Sequence, residues 1–197
     1  VGSGFNVEKK WGFFIEDLLL ADFTNDEQLD IVLSVTGLWD EPYVVGILSP
    51  NSDWSSWEQH VISKGTQFRS LKAIDIGNND RLDIVGTGPS ALIQLLNQGE
   101  MQFDLSTIHS WEGPFGSDYG YSVAVADFDL DQDPDIVVGG NMEILHSYTN
   151  NNDMSFGFSS GINVHLPVKE ILTTDVNNDN FPDIIVRDDF RVYVLSG

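Results

Sequence analysis

An all-β fold is what this sequence predicts, and three observations predict it. A nine-residue acidic segment recurs four times, and its first aspartates, Asp22, Asp75, Asp127 and Asp175, stand 53, 52 and 48 residues apart. Between the copies, short apolar runs alternate with clusters of Gly, Asn, Asp, Ser and Pro. No stretch sustains the 3.6-residue apolar period of an amphipathic helix. A period of about 50 residues is too long for most helical repeats and suits four strands per unit, the size of one propeller blade.

The predicted architecture is therefore a β-propeller of four four-stranded blades in one domain, residues 1–197. The first blade, about 13–63, places strands at Leu18–Ala21, Ile31–Val35, Tyr43–Leu48 and Trp57–Ile62. The second, about 68–110, places them at Leu71–Ile74, Ile84–Val85, Ala91–Leu96 and Phe103–Ile108. The third, about 120–166, gives Ser122–Ala126, Ile136–Val138, Ile144–Tyr148 and Phe158–His165. The fourth, about 168–197, supplies only Glu170–Thr173, Ile184–Val186 and Arg191–Leu195. Its missing strand has a candidate in residues 4–9, because Gly4-Phe5-Asn6-Val7 resembles Gly157-Phe158 and Ile162-Asn163-Val164. The N-terminal strand would then complete the last blade and close the ring, removing an exposed edge. A segment of a larger, six- to eight-bladed ring is the alternative.

The acidic segments carry the chemistry. At positions 1, 3, 5 and 9 they place Asp22, Thr24, Asp26 and Asp30; Asp75, Gly77, Asn79 and Asp83; Asp127, Asp129, Asp131 and Asp135; and Asp175, Asn177, Asp179 and Asp183. Oxygen donors at odd spacing, with no Cys or His, suit a hard cation such as calcium. Asx-turn chemistry without metal explains one or two aspartates per loop, but not four in register. An EF-hand is excluded, because its position-12 glutamate is replaced by Leu33, Gly86, Val138 and Val186. By donor charge the third loop is strongest, then the fourth, the first and the second, where Gly77 offers no ligand.

These four segments resemble FG-GAP/VCBS repeats, the blades of integrin α-subunit propellers and of several lectins and bacterial surface proteins. The resemblance covers nearly the whole chain. It implies that the loop joins the innermost strand to the second, with the four side chains and the position-7 carbonyl binding calcium. Those carbonyls would belong to Gln28, Arg81, Asp133 and Phe181. The family prefers Gly at position 6, where φ tends to be positive; this chain has Glu27, Asp80, Gln132 and Asn180.

Composition restricts the partners. Nine basic residues against 31 acidic ones give a net charge of −22, so nucleic acid and anionic membranes are poor partners. The acid is concentrated, since 15 of the 31 lie in the four loops. With no cysteine, disulfides and thiol chemistry are absent. No signal peptide and no run of 18 apolar residues is present, and the start at Val1 without Met points to a processed, trimmed or longer parent chain. No HExxH, GxSxG or P-loop occurs, so the chain is not expected to be an enzyme. His60, His109 and His165 fall near strand ends in different blades, too far apart for one site.

Candidate ligand-binding rings are Trp11, Trp39, Trp111 and Tyr119, in connections expected on the face opposite the acidic loops. Packing between blades is the plainer role for each. Trp54 and Trp57, in a Ser-rich loop on the acidic side, are equally open. Two functional expectations follow: an extracellular lectin-like or adhesive module, recognising carbohydrate or protein, or a structural component of a larger surface assembly. Partly neutral loops imply weak calcium sites, which fill outside the cell.

Overall fold

The computed structural model describes residues 14–37, 43–111, 120–141 and 143–197. These form fifteen strands in four antiparallel sheets. The first blade contains β1 (Phe14–Ala21), β2 (Asp30–Thr36), β3 (Tyr43–Pro50) and β4 (Trp57–Lys64). The second contains β5 (Ser70–Ile74), β6 (Asp83–Thr87), β7 (Ala91–Gly99) and β8 (Gln102–Ser110). The third contains β9 (Ser122–Ala126), β10 (Asp135–Gly139), β11 (Ile144–Asn150) and β12 (Phe156–Asn163). The fourth contains β13 (Glu170–Thr174), β14 (Asp183–Arg187) and β15 (Val192–Leu195). Each blade is a simple meander, so the four-bladed β-propeller expected from the repeats is the observed fold. Among the described residues no helix is long and apolar enough to cross a membrane.

The strand sequences follow from how many faces each sheet buries. In β6 and β10 every residue is buried, because the second and third blades are covered on both sides. Consecutive apolar residues such as Ile136-Val137-Val138 therefore divide between two interfaces. Ile136 and Val138 join Ile74, Val85 and Leu92 in the cluster between blades two and three. Val137 points the other way, packing with Ile171, Ile184 and Val186 between blades three and four. A third cluster, including Val32, Ile47, Leu71, Ile84 and Leu95, joins blades one and two. Close approach requires glycine at Gly86, where a Cβ would lie 2.4 Å from the Phe68 ring.

Polar bonds run beside these clusters from one innermost strand to the next. The Leu71 N–H donates to Asp17 Oδ2 at 2.6 Å, Val123 to Ser70 Oγ at 3.4 Å and Ile171 to Ser122 Oγ at 3.0 Å. In each case the acceptor stands five residues before its own first loop aspartate, and the donor four residues before the next. The closing strand expected at 4–9 lies outside the described residues, as do Trp11, Trp39 and Tyr119.

Trp111 corrects one expectation. Its ring is buried in the cluster between the second and third blades, against His109 at 5.8 Å. A ring packed there offers no face for stacking on a sugar. Tyr148 completes the same aromatic group, 5.8 Å from His109 and 5.7 Å from Phe158, and burial pushes its hydroxyl pKa up to about 12.

Candidate metal centres

All four acidic loops connect an innermost strand to its neighbour, and one hydrogen-bond framework recurs in them. The position-1 carboxylate accepts the N–H groups of positions 5 and 6. Asp127 takes Asp131 and Gln132 at 3.1 and 2.9 Å, and Asp175 takes Asp179 and Asn180 at 3.2 and 2.9 Å. Asp22 and Asp75 do the same, at 3.2 and 2.8 Å and at 3.0 and 2.8 Å. Position 5 accepts from position 7, at 2.9 Å for Asp26, 3.0 Å for Asn79, 2.9 Å for Asp131 and 2.9 Å for Asp179. That bond holds Gln28, Arg81, Asp133 and Phe181, the residues whose carbonyls the resemblance assigns to the metal.

Position 9 ties the loop to the blade. Asp30, Asp83, Asp135 and Asp183 are all buried. One oxygen of each accepts the position-2 N–H, from Phe23, Ile76, Phe128 and Val176 at 2.7, 3.0, 3.0 and 2.8 Å. The other oxygen reaches the third strand or, in the fourth blade, the second residue past it. Asn97 donates to Asp83 at 2.7 Å, Asn150 to Asp135 at 2.9 Å and Gly197 to Asp183 at 3.1 Å. The equivalent residue in the first blade is Pro50, which has no N–H, and Asp30 Oδ1 is left buried without a protein donor.

The turns that make this possible are left-handed at two positions. Position 6 has positive φ in every loop: 66° at Glu27, 61° at Asp80, 77° at Gln132 and 73° at Asn180. Position 4 does too, at 56° for Asn25, 47° for Asn78, 62° for Leu130 and 61° for Asn178. Three of these four are asparagine, which tolerates the conformation. Sequence reasoning missed position 4, although the recurring Asn was the available signal. Two of these side chains also link neighbouring loops: Asn25 Nδ2 donates to the Asp80 carbonyl at 3.1 Å, and Asn78 donates to the Asp133 carboxylate.

The third loop best fits a cation. Asp127, Asp129 and Asp135 each bring a carboxylate oxygen to within 4.8 Å of the others. Calcium–oxygen bonds of 2.3–2.6 Å allow ligand oxygens up to about 5 Å apart, so one ion can bridge all three. Desolvation raises the pKa of Asp135; the Asn150 and Phe128 N–H groups oppose the rise, and the Asp129 and Asp131 charges add to it. Burial likewise raises Asp83, against the Asn97 and Ile76 donors. A cation in either loop would relieve the same cost.

In the first loop Asp30 Oδ1 is unpartnered on the side of the third strand, and Asp22, Asp26 and Asp30 do not converge as the third-loop carboxylates do. The fourth brings together Asp175, Asn177 and Asp179, with Asn177 Oδ1 accepting the Asp179 N–H at 2.8 Å. The second is the poorest, and it is also covered. A Cβ on Gly77 would lie 3.1 Å from Met154 Cε, so the Met154 side chain of the third blade rests where a position-3 ligand would project.

Comparison with known proteins agrees with the fold. No curated protein matches the sequence. Among solved structures, an Agrocybe aegerita lectin described as recognising non-reducing terminal N-acetylglucosamine is 18% identical, with a TM-score of 0.57 over 90% of this chain and 48% of its own. BBS1N, solved in complex with ARL6DN, is 11% identical, with a TM-score of 0.62 over 93% of this chain and 54% of its own. The Photorhabdus luminescens Tc holotoxin pore is 15% identical, with a TM-score of 0.55 over 91% of this chain and 9% of its own. The chain thus spans about half the length of the first two. The FG-GAP-like repeat model matches residues 78–138 and 127–186, together more than half the sequence. With that match and four blades built on one loop framework, the chain belongs to the FG-GAP-like repeat family.

Proposed function

We propose that this chain is a calcium-stabilised, non-catalytic propeller module that works outside the cell by binding a carbohydrate or protein ligand. The family and the fold fit a binding or structural module. The single observation that carries the calcium reading is the convergence of Asp127, Asp129 and Asp135 within a framework repeated in all four loops. Calcium here is structural: it neutralises carboxylates that the fold holds together and locks the turn between two strands. Weak, partly neutral sites of this kind have dissociation constants of roughly 10⁻⁴ to 10⁻³ M, which external calcium fills. Carbohydrate recognition draws on the lectin among the structural neighbours. With Trp111 buried, an exposed tryptophan among the described residues that could stack on a ligand is Trp54, paired edge-on with Trp57 at 5.6 Å.

Thermal unfolding with calcium, with magnesium and with a chelator at low salt tests the calcium reading. Calcium should raise the melting temperature, and Asp129→Ala should reduce that gain without unfolding the protein, since Asp129 is exposed. A melting temperature indifferent to chelation would rule the reading out. A glycan array then tests the ligand: binding lost on Trp54→Ala supports carbohydrate recognition. Silence on the array supports the second reading, a structural component of a larger surface assembly, which the bare apolar faces of the end blades favour.

A further inference from the structure

The second and third blades meet at more than their apolar cluster. Ile76, Gly77 and Asn78 are positions 2, 3 and 4 of the second loop, and the third blade holds each of them. Asn150 Nδ2 donates to the Ile76 carbonyl at 3.0 Å. The Met154 methyl rests against Gly77, and the Met154 carbonyl accepts Gln94 Nε2 of the second blade at 3.0 Å. Asn78 Nδ2 donates to Asp133 Oδ1.

Two of these partners also belong to the framework of the third loop. The Asn150 N–H donates to Asp135 Oδ1 at 2.9 Å, so one residue grips the ninth aspartate of the third loop and the second position of the second. Asp133 is position 7 of the third loop, and its N–H donates to Asp131 Oδ1 at 2.9 Å. Its carbonyl is the one the resemblance assigns to the metal, while its carboxylate turns to Asn78. Asp133 and Asn150 are only 5% and 3% exposed.

The other neighbouring loops lack this chemistry, which needs asparagine at position 4 of one loop and a carboxylate at position 7 of the next. The first and second loops offer Asn25 and Arg81, and Asn25 reaches the Asp80 carbonyl instead, at 3.1 Å. The third and fourth offer Leu130 and Phe181, two exposed apolar side chains. Asn97, the counterpart of Asn150, gives its amide to Leu82 of its own blade's loop at 3.1 Å.

We infer that the third-loop metal centre is built by two blades: Asn78 is a positioning residue for it, and calcium bound there tightens the second loop. This rests on the calcium reading of the third loop. A buried carboxylate needs its charge offset, and the Asn78 amide is a neutral donor. A cation in the third loop supplies the missing positive charge, which lowers the cost of holding Asp133 where Asn78 reaches it. Asn78 in turn fixes the residue whose carbonyl is assigned to the ion, as the outer partners of metal ligands do. Both effects are one coupling, so calcium tightens the second loop by the factor that Asn78 adds to calcium affinity. The second loop is thereby held from the third blade, with Met154 standing where its own position-3 donor would project.

Calorimetric calcium titration and amide hydrogen exchange of the full chain test it. The binding step that Asp129→Ala removes marks the third site. Asn78→Gly deletes the amide at a φ of 47°, which glycine adopts freely, and should weaken that step about tenfold. Asn25→Gly, the same change one loop earlier, should leave the step in place. Calcium should slow exchange at the Ile76, Asn79 and Asp80 amides in wild type and not in Asp129→Ala. Asn78→Asp and Asp133→Asn should each lose that protection, and the two together should regain it, because the reversed pair restores both the hydrogen bond and the charge. A third-site affinity unmoved by Asn78→Gly, second-loop protection that survives Asp129→Ala, or a double variant without rescue would each overturn this inference alone. If Asp129→Ala removes no binding step, the calcium reading falls together with it.

Discussion

Pro50→Asn should stabilise the metal-free protein, an unusual expectation for a change at a buried strand end. Asp30 is completely buried, and its Oδ1 has no protein donor because Pro50 replaces the N–H that Asn97, Asn150 and Gly197 supply elsewhere. Restoring a charge-assisted hydrogen bond to a buried carboxylate is worth about 1.5–3 kcal/mol. Losing the proline frees the unfolded chain and costs about 0.4–1 kcal/mol. The net gain is about 1–2 kcal/mol, or roughly 2–8 °C in melting temperature for a chain of this size. Asparagine is chosen because Asn97 Nδ2 also donates to the Leu82 carbonyl at 3.1 Å, and Leu29 offers the equivalent oxygen in the first loop. Urea unfolding in chelator measures the effect, with Pro50→Ala supplying the backbone N–H alone. Saturating calcium should shrink the gain if the ion uses Asp30 Oδ1. A variant no more stable than wild type without metal would refute the assignment of Pro50 as the cause of the unpartnered oxygen.

Leu130→Asn should add about 1 kcal/mol, because Leu130 is an exposed leucine at φ 62° where the other three loops have asparagine; equilibrium unfolding checks it. Gly77→Asp should strengthen calcium binding at the second loop, since the obstructing Met154 methyl is the end of a flexible side chain; calorimetric titration should show an additional or tighter site. His146 has a pKa lowered by burial and then by the His109 charge. Its neutral form is the one the fold favours, so the associated stability is intact above the unfolded value of about 6.5 and is lost as pH falls from there through the lowered folded value. Wild type should therefore lose more stability than His146→Gln between pH 7 and 5.

The fold was legible because its repeat is chemical as well as apolar. Each first loop aspartate ends an innermost strand and each ninth opens the next, so four loops fixed eight strand boundaries to within a residue. The largest departure was on an innermost strand, where β1 begins at Phe14, four residues before the expected Leu18, and the outer strands β4, β8 and β12 began or ended up to two residues from expectation because half-exposed edges carry no sharp pattern. Within the loops, the position-6 expectation of positive φ held, and position 4 was missed. Trp111 was open to two roles because a tryptophan after an outer strand reads the same whether it faces solvent or a neighbouring blade. The proximity of His109 to His146 could not be read at all, since it depends on how blades two and three pack around Tyr148.

Two sets of contacts hold this molecule, and they act on different elements. The ninth aspartate binds its loop with one oxygen and its third strand with the other, while Asn25 to Asp80 and Asn78 to Asp133 tie neighbouring loops together. The bonds from Asp17 to Leu71, Ser70 to Val123 and Ser122 to Ile171 run between blades and use no loop aspartate. Calcium at the third loop should therefore stiffen its own blade first and reach the second through Asn78. The faces bearing Leu18 and Leu172 keep leucines exposed at positions the other blades bury.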